Sequence, residues 1–349
     1  MALHQDPVLV TGGSGYIASW IVKKLIQQGY NVRATVRDQR NPEKVAHLME
    51  IAAEGPGVLE LVEADLLEPG SFSEGMQNCR WVIHTASPFV AGKVKDAQAQ
   101  LVDPALRGTR NVLESVNATP SVQRVVLTSS VAAVAGDNVE IRQTADGVFT
   151  EEHWNQSSTL DHQPYPYSKT VAEKEAWQMA EAQDRWQLLV INPSFVMGPP
   201  LSTRRDAASI DVVRNLLKGQ LAIGAPQLTF GIVDVREVAD AHIQACEKPQ
   251  ASGRHILAAD HLSLLDIGQT IAKFYGDRFS KLPKREIPKW LTYLIAPAAG
   301  FTWRFVTENV GEPPRYDNRY SIQDLGLKYR PVQQTLQEMV GTMIERGMV

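Results

Sequence analysis

Along the first two-thirds of the chain, two hydrophobic patterns take turns. Short apolar runs at Val8–Val10, Val32–Val36, Leu59–Val62, Val82–His84, Val125–Leu127 and Leu188–Ile191 show little alternation with polar residues. Such runs predict strands buried on both faces, as in a parallel sheet covered by helices. Between them the spacing becomes helical. Ile17, Ile21 and Leu25 recur every four residues, Val22 widens the stripe, and Gly29 supplies a stop. A second helix is predicted after Pro42, a long one over about 96–117 and another over about 166–182. Strand–helix alternation of this kind predicts an α/β fold built on a doubly wound parallel sheet of the Rossmann type, with right-handed crossovers.

After "INPSFVMGPP" (191–200) the pattern changes. Three prolines interrupt the chain, "AASIDVVRNLLKG" and residues 233–248 read as helices, "RHILAA" as a returning strand, and residues 262–349 as further helices. The expected division is residues 1–192 as the Rossmann domain, with returning segments at about 230–260. Residues 193–349 would form mainly a smaller, partly interleaved C-terminal lobe that binds substrate.

Composition narrows the classes. A chain of 349 residues can bury a large core. Its formal charge of −4 gives no electrostatic footprint for nucleic acid. Cys79 and Cys246 are its only cysteines, so a disulfide framework is not expected. The start "MALHQDPVLV" has no basic, apolar leader pattern, and 290–303 is short for a spanning helix and contains Pro297. A cytoplasmic protein without nucleic-acid or membrane partners is expected, as a monomer or homodimer. The scattered histidines and two distant cysteines suggest no metal site.

The first candidate chemistry lies in "VLVTGGSGYIASW". Gly12, Gly15 and Ala18 follow the spacing G-x-x-G-x-x-A between a predicted strand and helix. Gly12 permits a sharp turn, Gly15 lets backbone N–H groups approach a pyrophosphate, and Ala18 lets the helix pack close to the strand. The free N–H groups at the helix start favour an anion there. Thr11, Tyr16 and Ile17 flank the turn as further cofactor contacts. At the end of the second strand, where a dinucleotide's adenine ribose is read, stands Arg37, with Arg40 and Lys44 following. An acidic residue there would accept from a free 2′-hydroxyl, whereas arginine pairs with a 2′-phosphate. NADP(H) is therefore expected over NAD(H), although adjacent Asp38 keeps the alternative open.

The second cluster is "PYPYSKTVAEKEAW". Tyr165 and Lys169 lie four residues apart, so on a helix they share a face. A nearby ammonium stabilises phenolate and makes the phenol a better acid for carbonyl reduction. Tyr167 has no lysine at that spacing. Ser129 and Ser130 end a predicted strand at the sheet's ligand edge, with Ser130 preferred as the group that holds a substrate oxygen. Phe89, Val131, Val134, Pro200, Leu201, Val212 and Val213 are candidates for an apolar or aromatic pocket. His162 is expected to be a satisfied loop histidine.

"TGGSGYIA", "HTASP" (84–88), "TSS" (128–130), "YPYSK" (165–169) and "NPSFVMGP" (192–199) occur in the order found in extended short-chain dehydrogenases/reductases. The chain resembles most closely their dihydroflavonol-reductase-like branch, which includes cinnamoyl-CoA reductases and microbial carbonyl and methylglyoxal reductases. "VRATVRD", "GTRNVLES" and "VDVREVADAH" strengthen the likeness. The resemblance implies that Tyr165 donates a proton, Lys169 binds the nicotinamide ribose, Ser130 orients the carbonyl and Asn111 completes a water-linked proton relay. It also implies that Asp65 and Leu66 flank adenine, that Thr85, Ala86 and Ser87 line the cofactor, and that Pro193 and Val196 face the carboxamide. "VAAVAGDN" after the serines departs from the plant flavonoid pattern, and no "NWY" tripeptide is present. Dihydroflavonols and CoA esters are thus less expected than simpler ketones or aldehydes. The rival readings are an NAD-dependent nucleotide-sugar epimerase or dehydratase, a non-catalytic NADP-sensing regulator, and a steroid-type alcohol dehydrogenase.

Overall fold

A computed structural model describes residues 4–87, 94–204 and 207–349. Its main sheet has seven parallel strands: β1 (His4–Thr11), β2 (Tyr30–Val36), β3 (Val58–Glu63), β4 (Trp81–His84), β5 (Arg124–Thr128), β6 (Gln187–Pro193) and, from later in the chain, β9 (Gly253–Leu257). They lie in the order β3-β2-β1-β4-β5-β6-β9. A second sheet, β10-β8-β7, joins β7 (Phe195–Met197), β8 (Thr229–Asp234) and β10 (Asp260–Ser263).

The helices are α1 (Tyr16–Gln27), α2 (Pro42–Ala52), α3 (Ser73–Met76), α4 (Asp103–Asn117), α5 (Pro164–Glu181), α6 (Ala208–Leu217) and α7 (Val235–Glu247). The remainder are α8 (Leu264–Tyr275), α9 (Lys289–Ile295), α10 (Trp303–Asn309), α11 (Arg319–Leu325) and α12 (Val332–Glu345).

The unbroken apolar strand runs have a direct cause. Val8 and Val10 pack with α1, α2 and α7 on one face, while Leu9 packs with α4 and α5 on the other. The same alternation splits Val126 from Val125 and Ile191 from Val190. Both parities are buried, so both are apolar. A separate cluster packs among the later elements, where Val213 of α6, Ile267 of α8 and Leu336 of α12 meet Met197 and Ile232 of the small sheet.

Several boundaries differ from the sequence expectation. The helix expected from 96 is a π turn, Gln98–Val102, followed by α4, where Pro104 occupies the first turn that needs no N–H. The helix expected from 233 starts at Val235, because the Asp234 carboxylate accepts from the Arg236 N–H and caps it. The preceding residues form β8, and the small sheet as a whole was not anticipated. The returning strand near 254 does join the large sheet, as β9 beside β6. Among the described residues no helix is long and apolar enough to cross a membrane. The segment 290–303 instead forms α9 and the approach to α10, with Trp290, Leu294, Phe301 and Trp303 exposed.

Candidate functional site

The glycine turn closes tightly between β1 and α1. Gly12 takes a left-handed φ of +65°, and a Cβ there would lie 3.1 Å from Ala86. A Cβ on Gly13 would come within 2.6 Å of the Ala34 Cβ on β2, a constraint absent from the G-x-x-G-x-x-A reading. Gly15 caps α1, and buried Ala18 lets that helix lie close to the sheet. The segment after β7 is fastened here: the Tyr16 hydroxyl donates to the Gly198 carbonyl at 2.7 Å and Trp20 Nε1 to that of Pro199 at 2.9 Å. Ile17 packs against the core beneath.

Thr11 ties the ends of β1 and β4 together. Its hydroxyl pairs with His84 Nδ1 at 2.8 Å and accepts from the Thr85 and Ala86 N–H groups at 3.1 and 3.0 Å. Burial, with the nearby Lys169 charge, pulls His84 down to about 3, so its ring is neutral. Arg37 is exposed just beyond β2, and Lys44 stands in the first turn of α2. Asp65 accepts from the Leu67 N–H at 2.8 Å, and Leu66 packs against Gly108. Asn111 does not face the Tyr165 cluster by its hydrogen bonds. Its amide donates to the Leu66 and Glu68 carbonyls and its Oδ1 accepts from the Gly70 N–H at 2.8 Å, so its polar atoms are committed to the 65–70 loop. Its side chain therefore serves the 65–70 loop rather than a group of the Tyr165 cluster.

Tyr165 and Lys169 lie on the first turns of α5, as their spacing requires. Lys169 Nζ sits 5.9 Å from the Tyr165 ring centroid and donates to Ser87 Oγ at 3.2 Å. Burial lowers the Lys169 ammonium to about 8, opposed by the charge of Glu173. Tyr165 as a residue is 49% exposed. Protein packed around the phenol pushes its pKa up. The surrounding side chains alone therefore do not acidify it. Ser130, two residues past β5, caps a short 3₁₀ turn, Val131–Ala133, that packs on α5. Its Oγ accepts from the Ala132 N–H at 3.1 Å, which leaves its own proton to donate. Ser129 is turned inward and donates to the Glu173 carboxylate.

Lys169 lines a recess with Ala86, Ser87 and Ser129. A separate cavity of about 180 Å³ is walled by Val131 and Pro166, the chain neighbours of Ser130 and Tyr165, with Phe195, Phe230, Phe305 and Tyr316, and has Gln163, Asn138 and Asn309 in its polar part. Phe195 and Phe230 stand 5.2 Å apart. Pro200 does not line it. Its segment is drawn against α1 by the Tyr16 and Trp20 hydrogen bonds, and Leu201 packs on the same side. Val134 and Val213 are core residues, and the Phe89 candidate lies outside the described residues. Pro193 ends β6, and Val196 lies half-buried on β7. His162 is buried with Nε2 at 2.8 Å from the Asp137 carboxylate, as a satisfied loop histidine should be.

A parallel sheet of this strand order, with a glycine turn at its first crossover, is the architecture of dinucleotide-dependent enzymes. The chain belongs to the NAD dependent epimerase/dehydratase family, which it matches over residues 8–259. Within that family it is an extended short-chain dehydrogenase/reductase, and its relatives make it an oxidoreductase. It is 36% identical to cinnamoyl-CoA reductase CAD2 of Medicago truncatula over 342 residues, covering 97% of this chain and 96% of that one. Tetraketide alpha-pyrone reductase 1 of Arabidopsis thaliana is 35% identical, with 97% and 96% covered. Among solved structures, yeast methylglyoxal/isovaleraldehyde reductase Gre2 complexed with NADPH superposes with a TM-score of 0.78 at 27% identity, covering 98% of this chain and all of that one.

Proposed function

We propose that the protein reduces a ketone or aldehyde to the alcohol with NADPH, using Ser130, Tyr165 and Lys169. The observation that carries the reading is the position of one ammonium. Lys169 Nζ stands by the Tyr165 ring and reaches Ser87, three residues past β4 and next to Ala86, which the glycine turn abuts. The turn suits a dinucleotide, because Gly15 opens a twelve-residue helix whose N-terminus has no side-chain cap over it.

Bound NADPH supplies hydride to the carbonyl carbon. Ser130 and Tyr165 donate hydrogen bonds to the carbonyl oxygen as it gains negative charge. Tyr165 then gives up its proton, and Lys169 holds the nicotinamide ribose and favours the phenolate left behind. With a pKa near 8, Lys169 is mostly charged at neutral pH. Arg37 and Lys44 take the 2′-phosphate, Asp65 and Leu66 flank adenine, Thr85 and Ala86 line the cofactor, and Pro193 and Val196 face the carboxamide. The NADPH in the Gre2 structure supports this cofactor. In this reading residues 1–192, with β9 and α7, form the cofactor domain and most of 193–349 the substrate lobe.

The relatives' names specify different substrates, so the substrate class rests on this chain's own cavity. Its aromatic walls favour an apolar or aromatic small molecule. The test is loss of reduced-nicotinamide absorbance with a panel of aldehydes, ketones, keto esters, sugar nucleotides and steroids. Tyr165→Phe should retain NADPH binding by fluorescence titration and lose turnover by about two powers of ten or more. Turnover retained in that variant, or activity confined to sugar nucleotides, would overturn the proposal.

A further inference from the structure

Buried behind the proposed catalytic residues is a carboxylate that the mechanism above does not use. Glu173 lies one turn beyond Lys169 on α5 and is 1% exposed. Four donors converge on it. Its Oε2 accepts from Ser129 Oγ, at the end of β5, and from Asn192 Nδ2, on β6, at 2.8 Å. Its Oε1 accepts from Arg254 Nε, on β9, at 2.6 Å and from Trp177 Nε1, one turn along the same helix, at 3.4 Å. Three neighbouring strands are thus tied to one point on the helix.

The Asn192 amide carries the link further. The same nitrogen that serves Glu173 also donates to the Ser130 carbonyl at 3.1 Å. One side chain therefore binds both the residue expected to orient a carbonyl and the helix expected to protonate it. Arg254 is itself fixed, donating to the Glu151 and His153 carbonyls at 2.8 and 2.5 Å and lying 3.9 Å from the Trp154 ring centroid. The helix cannot slide along the strand ends without breaking several of these bonds together.

We propose that Glu173 is a positioning residue: through Ser129, Asn192 and Arg254 it fixes the separation of Tyr165 and Lys169 from Ser130, the gap a carbonyl oxygen has to fit. The inference rests on the proposed roles of those three residues. A buried carboxylate that accepts from several fixed donors holds geometry better than apolar packing, because each bond is directional and costly to leave unmade. Catalytic hydrogen bonds are correspondingly sensitive to small displacements of their donors.

The test compares Glu173→Gln, Glu173→Asp and Ser129→Ala in the full-length protein. Readouts are kcat, carbonyl KM, NADPH Kd, and the primary isotope effect with NADPH deuterated at the transferred position. Glu173→Asp keeps the charge and withdraws it by one methylene. Ser129→Ala leaves the Glu173–Arg254 ion pair in place, so it serves if the glutamate variants do not fold. The expected result is a kcat loss of about 10-fold or more in both glutamate variants and a smaller loss in Ser129→Ala. NADPH Kd should stay within about twofold, with a larger isotope effect as hydride transfer becomes limiting. Unchanged kcat with only a lower melting temperature overturns the inference, as does wild-type kcat in Glu173→Asp. If Tyr165→Phe abolishes turnover while these variants leave kcat alone, this inference fails and the proposed function stands. If Tyr165→Phe retains turnover, the proposed function itself fails.

Discussion

Arg37→Glu tests the cofactor assignment at its most exposed point. Arg37 follows the last residue of β2, faces solvent, and makes no hydrogen bond or ion pair with the described residues. Its replacement should change folding stability by no more than about 0.5 kcal/mol, the usual range for such a surface site. The effect should fall on the ligand. A guanidinium on a 2′-phosphate makes charge-assisted hydrogen bonds worth about 1.5–3 kcal/mol in total. At about 1.4 kcal/mol per factor of ten, their loss corresponds to roughly 10- to 100-fold in affinity for NADPH. Lys44, in the first turn of α2, would retain part of the attraction, while the new carboxylate would repel the phosphate. NADH has no 2′-phosphate and should change by no more than about twofold. Steady-state KM for both nucleotides, with Kd by fluorescence titration at low and high salt, measures the difference, and salt should shrink it. An equal change for NADPH and NADH, or none for either, would refute the assignment.

Two further outcomes follow from packing and burial. Gly13→Ala puts a methyl group 2.6 Å from the Ala34 Cβ, and should cost about 1–3 kcal/mol in urea unfolding as β2 and the turn are forced apart. His84 is neutral in the folded chain, with its pKa lowered from 6.5 to about 3, whereas the unfolded chain binds a proton near 6.5. Stability should therefore fall as pH drops from 6.5 toward 3, by up to about 1.4 kcal/mol per pH unit from this group. His84→Gln should flatten that limb of a melting-temperature profile by the same slope; an unchanged slope would contradict the assignment.

The parts legible in the sequence were those whose causes are local. Runs such as Val8–Val10 announced a sheet covered on both faces, and the four-residue spacing of Tyr165 and Lys169 survived unchanged on α5. What escaped was set by partners distant in the chain. Gly13 is required by Ala34 on the next strand, and nothing in the turn itself shows that. The hold of the 65–70 loop on the Asn111 amide comes from residues some forty positions earlier in the chain, which "GTRNVL" does not show. Pro200 looked like a pocket residue until Tyr16 and Trp20 fastened its segment to α1. Glu173 did have a signal, since it repeats the Tyr165–Lys169 interval once more, but its meaning depended on Ser129, Asn192 and Arg254 arriving from three strands.

The return of β9 to the edge of the large sheet has a consequence during synthesis. About 60 residues separate the end of β6 from the start of β9. At roughly 5–20 residues per second, a ribosome takes about 3–12 s to make them. Throughout that interval the nascent sheet presents β6 as an open, strongly apolar border, the kind that recruits stray strands. A fragment ending at Pro193 would carry that border permanently and should aggregate, whereas extending it through Leu257 supplies the missing neighbour.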